Sequence, residues 1–114
     1  MTIPAVRMTV RWHIPLGESR SIIDALHGVM IAARARRDCL GCSLATDASR
    51  TVGVRYAEEW ADEMSLRREL RSDRFATLAA LMESATEPPV VEIALPGGTR
   101  GLDYVEEVRA TEPR

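Results

Sequence analysis

From Val6 to Ile14 apolar and polar residues alternate without a slip: Val6, Met8, Val10, Trp12 and Ile14 fall on one face, Arg7, Thr9, Arg11 and His13 on the other. A period of two predicts a β-strand with one face against a core. Pro15-Leu16-Gly17 ends it, and Ser19 is the expected N-cap of a helix in which Ile22, Ile23, Leu26, Val29, Met30 and Ala33 recur at helical spacing. That helix is expected over 20–37, its last turn carrying Arg34, Arg36 and Arg37 where the helix dipole favours cations. A second strand is predicted over Cys42 to Asp47 and a third over Thr51 to Trp60, joined as an antiparallel hairpin by a polar turn. The third strand has Val52, Val54, Tyr56, Glu58 and Trp60 on one side and Gly53, Arg55, Ala57 and Glu59 on the other.

Asp62 can cap a helix through Met64, Leu66 and Leu70, and Ser72 a continuation through Phe75, Leu78, Leu81 and Met82, which together predict one helix broken near Arg71-Ser72. Pro88-Pro89 stops it, because proline cannot continue a helix. A fourth strand follows over Val90 to Leu95, and beyond Pro96-Gly97-Gly98 a short helix or pairing arm is expected from Leu102 to Arg109. The whole chain, 1–114, reads as one domain with its core over about 6–95 and an arm over 96–114.

The order βαββαβ predicts an α+β, ferredoxin-like fold, a four-stranded antiparallel sheet with helices on one face. The other face is then bare, and its residues are mixed. A second copy stacked face to face, giving a homodimer closed as an α/β barrel, is the expected solution.

Composition sharpens this picture by what it lacks. All fifteen basic residues are Arg, and Lys, Asn and Gln are absent. Lysine Schiff bases, P-loop lysines and carboxamide-based sites are therefore excluded. A net charge of -2 with the signs interspersed leaves no basic stripe, so nucleic acid is not expected as a partner. No apolar run approaches the roughly 20 residues that span a bilayer, and Met1 to Arg7 lacks the organisation of a signal peptide. No membrane partner and a cytoplasmic location are the expectations. Cys39 and Cys42 follow a helix C-terminus and lead into a strand, where no helix dipole favours a thiolate, and metal binding would need two further ligands. Packing at the strand entry is expected of them.

The stretches Cys39-Leu40-Gly41-Cys42, Tyr56-Ala57-Glu58-Glu59-Trp60, Leu70-Arg71-Ser72-Asp73-Arg74-Phe75 and Pro88-Pro89-Val90, in that order and spacing, resemble the antibiotic biosynthesis monooxygenase (ABM) domain family over roughly residues 7–95. The resemblance implies a dimeric ferredoxin-like barrel. It also implies oxidation of a small phenolic, quinol or polyketide-like aromatic by O2 with no cofactor. Heme-degrading members pair a similar Ser-Asp-x-Phe with an Asn on the first strand, a Trp three residues before the Ser and a His four after the Phe. This chain has no Asn, and Glu69 and Ala79 stand at the other two positions, so heme degradation is excluded. Quinol-oxidising members often carry a His where Glu69 stands.

Cofactor-free oxygenation needs a base, a partner for the substrate anion and a dry aromatic pocket. His13 and Glu69 are the candidate catalytic groups. Trp12, Arg55, Tyr56, Trp60, Phe75 and Met82 are the candidate substrate-binding residues, in a pocket expected between sheet and helices. Each has a plainer reading: His13 at a polar strand edge, His27 and Glu69 on helix surfaces with Glu69 paired to Arg71 or Arg74, Arg55 in an ion pair with Glu59, and the aromatics as core. The alternatives to a monooxygenase are a non-catalytic ligand-binding or dimerisation protein of the same fold, or a non-oxidative cyclase or isomerase.

Overall fold

Strand β1 (Val6–Pro15) follows the alternation of its sequence at all but one position: Val6, Met8, Val10, Trp12 and Ile14 are buried and Arg7, Arg11 and His13 exposed, while Thr9 of the polar face is buried as well. In this computed structural model residues 4–111 are described. The leader reading of residues 1–3 and the last residues of the arm, 112–114, lie outside them. β2 (Cys39–Ala48) and β3 (Thr51–Trp60) form the expected hairpin, and β4 (Val90–Leu95) lies against the other side of β1. A fifth strand, β5 (Gly98–Arg100), gives the antiparallel order β2-β3-β1-β4-β5.

β5 is a correction to the four strands expected. Leu95 pairs with Gly98 and Ile93 with Arg100, so Pro96-Gly97 is a two-residue hairpin turn. Gly98, with φ of +137°, takes a backbone conformation that side chains disfavour. Three residues reading Gly-Thr-Arg carry no periodicity by which to foresee a strand.

Helices α1 (Ser19–Arg34), α2 (Glu63–Leu70), α3 (Asp73–Met82) and α4 (Leu102–Ala110) pack on one side of the sheet. Asp62 caps α2 by accepting from the Ser65 N–H at 2.8 Å, and Ser72 caps α3 by accepting from the Phe75 N–H at 3.2 Å. The break at Arg71-Ser72 therefore separates two helices. Ser19 does not cap α1; it is the first helical residue, fed by a 3-10 turn over Leu16–Glu18, and its hydroxyl donates back to the Leu16 carbonyl at 2.7 Å. α1 also stops three residues early, at Arg34, whose guanidinium donates to the Cys42 carbonyl of β2 at 2.7 Å. α4 is the helical form of the expected arm. Arg109 ties it down by donating to the Leu70 carbonyl and lying 5.4 Å over the Phe75 ring.

The register sorts side chains into two layers. β1 pairs with β3 from Val6↔Trp60 to Pro15↔Thr51, so Val10 meets Tyr56 and Trp12 meets Val54 beneath the helices. On the opposite face Arg11 meets Arg55 and His13 meets Gly53. No helix of the described residues covers that second face, and within one chain the sheet is open.

Candidate functional site

A cavity of about 520 Å³ forms a groove on the open face of the sheet. Two cross-strand rows build it. One runs Ala45, Arg55, Arg11 and Val90, and the next runs Asp47, Gly53 and His13, with Glu87 of the loop after α3 at its end. Rows of this kind are about 4.8 Å apart strand to strand and about 6.8 Å apart along a strand. Ala45 and Gly53 raise almost nothing above the sheet, so the floor between Arg55 and His13 is flat.

His13 is held at this floor. Its Nδ1 is 4.0 Å from a Glu87 carboxylate oxygen, and its Nε2 lies 3.4 Å from the point where a Cβ on Gly53 would stand. The backbone fixes the loop as well: the Thr86 N–H donates to the His13 carbonyl at 2.8 Å. Glu87 thus lies near one ring nitrogen, beyond hydrogen-bonding distance, while the other lies over the groove floor. Of the two arginines, Arg11 is bonded to Glu92. Arg55 is exposed and, among the described residues, makes no ion pair; the expected pairing with Glu59 is not formed. Four residues along a strand separate their Cα atoms by about 13 Å, too far for a direct bridge.

Beneath the sheet, between β3 and the helices, lies a second polar cluster with no comparable space. Glu58 is 1% exposed, and its carboxylate accepts from the Tyr56 hydroxyl at 2.6 Å and the Trp60 indole N–H at 3.0 Å. The Cys42 thiol donates to the same Tyr56 oxygen at 3.2 Å. Burial pushes the Glu58 carboxyl up to about 7, with the Glu69 charge adding to the effect and the Tyr56 and Trp60 bonds opposing it. Burial likewise raises the Cys42 thiol to about 11 and pushes the Tyr56 phenol up, so both stay protonated at neutral pH.

Glu69 is not on a solvated helix surface, as its plainer reading had it. It is 3% exposed, and both of its oxygens accept from Arg74 at 2.7 to 3.3 Å. Buried in the core and tied to Arg74, it does not line the groove.

The structure divides the predicted site residues between the two layers. His13 and Arg55 border the open groove, and Trp12 contributes to its lining. Tyr56, Trp60, Phe75 and Met82 are core side chains packed between sheet and helices, where the expected pocket is filled. Trp12 is buried with its indole N–H unpartnered among the described residues. His27 is exposed on α1. Sequence reasoning missed Glu58, Gly53 and Glu87. Glu58 did leave a signal: it is the one charged residue on the apolar side of β3. Gly53 and Glu87 left none, because their value lies in contacts with a residue 40 and 74 positions away.

No family model matches the sequence, and no curated protein matches it. Solved structures do. A conserved protein from Methanosarcina mazei Go1 superimposes with a TM-score of 0.70 at 18% identity, covering 80% of this chain and 91% of that one. A protein from Mycobacterium tuberculosis gives 0.69 at 18% identity, covering 82% and 95%. An antibiotic biosynthesis monooxygenase gives 0.65 at 14% identity, covering 77% and 94%. The chain has the fold of an antibiotic biosynthesis monooxygenase. At such identities the likeness concerns the backbone architecture, and the ABM-like fold agrees with the resemblance carried by the four sequence stretches. No helix of the described residues is long and apolar enough to cross a membrane.

Proposed function

We propose that the chain is a homodimeric, cofactor-free monooxygenase that oxidises a small phenolic or quinol with O2 in the open-face groove. The observation that carries this reading is the placement of His13 at the groove floor, its Nε2 over Gly53 and Glu87 4.0 Å from its Nδ1. His13 takes the proton of a ring hydroxyl, and the imidazolium so formed supplies positive charge beside the phenolate, while Arg55 lies one row away along the groove. The electron-rich ring carbon bonds O2 to give a hydroperoxide. Cleavage of its O–O bond with loss of the ring C–H proton leaves a quinone carbonyl and releases one water. Phenol plus O2 thus becomes quinone plus water, and all four electrons come from the ring.

A second copy set against the open face completes the site in this reading. The groove alone is open to solvent, and a facing sheet would exclude water from it. The ABM-like fold supports the same arrangement, since a sheet with one bare face stabilises itself by stacking.

Oxygen uptake tests the reading. Purified protein without added flavin, heme or metal should consume O2 with a panel of quinols and phenols above their autoxidation, and His13→Gln should abolish the excess. Uptake at the autoxidation rate across the panel, with the ligands still bound, would overturn the oxidative reading in favour of a binding protein.

A further inference from the structure

The groove is polarised along the strands. Its Arg11 and Arg55 stand directly opposite each other across β1 and β3, and its His13, Asp47 and Glu87 lie one row further on. Like charges directly opposite in a sheet destabilise the pair unless something neutral or anionic intervenes. Glu92 compensates Arg11 alone. Arg55 is flanked on its other side by Ala45, whose methyl group neither pairs with it nor covers it. A planar guanidinium with no ion-pair partner among the described residues, beside a floor of Ala45 and Gly53, presents bidentate geometry for a carboxylate.

The opposite end of the groove has the reverse polarity. Two acidic residues belong to this end: Glu87, 4.0 Å from His13 Nδ1, and Asp47, which lines the groove on the far side of Gly53. A ligand carboxylate is disfavoured there, whereas a neutral hydroxyl that donates its proton to the imidazole, leaving an imidazolium–phenolate pair, is favoured. Arg55 and His13 are diagonal neighbours across β3 and β1, about 7–8 Å apart at the backbone, and one benzene ring with a substituent at each end can lie along that diagonal.

From this polarity we infer that the ligand of the groove is a hydroxylated aromatic acid, its carboxylate on Arg55 and its ring hydroxyl at His13. The inference rests on the groove's being the substrate site and narrows the proposed phenolics to those that carry an acid group across the ring from the hydroxyl. It also makes Arg55 the residue that sets specificity, a positioning role distinct from proton transfer at His13.

Matched ligands test it: 4-hydroxybenzoate and its neutral, isosteric amide, titrated calorimetrically into the wild-type protein. The acid is expected to bind at least about tenfold more tightly than the amide, with the gap narrowing as salt rises. Arg55→Ala should erase the preference by weakening the acid alone, and Arg55→Lys should restore part of it. Arg55→Gln serves in place of Arg55→Ala if circular dichroism shows that the alanine variant is unfolded. Equal binding of acid and amide, or a preference that survives Arg55→Ala, would overturn the inference. Oxygen uptake is read separately. A preference for the acid without uptake removes the oxygenase reading and leaves the ligand class standing; uptake with neutral phenols and no acid preference does the reverse.

Discussion

The Tyr56 hydroxyl donates to the Glu58 carboxylate at 2.6 Å from two positions along the same strand, inside the core. Both side chains leave the same face of β3 because a strand repeats every two residues. Trp60 closes the other carboxylate oxygen from the next position on that face. Three consecutive inward positions thus satisfy a buried acid among themselves, and the remaining burial cost is expressed as a carboxyl that titrates near neutrality.

Stability should therefore fall as pH rises. Unfolded, Glu58 loses its proton near 4.5, and folded it holds it to about 7. Below 4.5 the group contributes no difference. Between the two values the native state binds the extra proton, and above 7 the native state carries a penalty of roughly 3 kcal/mol. Glu58→Gln should raise the melting temperature at pH 8 and flatten its dependence between pH 5 and 7. An unchanged pH profile in thermal melts of that variant would show that Glu58 is ionised and well compensated throughout.

The Glu69–Arg74 pair gives an asymmetric prediction. Arg74→Ala strands a carboxylate that is 2% exposed and should cost about 2 kcal/mol, a figure moderated because Arg74 itself is partly exposed. Glu69→Gln leaves a neutral amide that still accepts a hydrogen bond, and it should cost less. Urea midpoints of the two variants check the order. Equal losses would mean that the pair acts through packing.

Gly53 controls access to His13. A methyl at this position meets the imidazole only at ordinary contact distance, 3.4 to 3.5 Å, so Gly53→Ala should fold with little change. Gly53→Val pushes into the ring and covers the groove floor. It should retain most of its stability yet lose binding of the aromatic ligand at least about tenfold, as measured by titration calorimetry. Full binding in the valine variant would move the ligand away from this floor.

A second copy on the open face would be disrupted at Ala94, which is exposed on that face and pairs with Arg7 across β1 and β4. Ala94→Arg places two cations side by side there, and sedimentation should show a dimer becoming a monomer while the circular dichroism spectrum is kept. A wild-type chain that sediments as a monomer at micromolar concentration would contradict the dimer directly.

The alternation in β1 and β3 and the caps at Asp62 and Ser72 were legible because each is a local rule, a pleat or a hydroxyl or carboxylate reaching a nearby N–H, whereas α3 ends at Met82, well before Pro88-Pro89. Those rules determined which residues share a face and hence the ferredoxin-like order of elements. They also left Glu58 in view as a charge on an apolar face, and Glu69 in helical register with Leu66 and Leu70. Only the tertiary structure decided on which side of the sheet there is room. The helices fill their side with Tyr56, Trp60, Phe75 and Met82, and the other side keeps a groove because Gly53 and Ala45 are too small to fill it. Where space remains depends on how whole layers pack and on contacts such as His13 with Glu87, made between residues far apart in the chain, and no local periodicity encodes those distances.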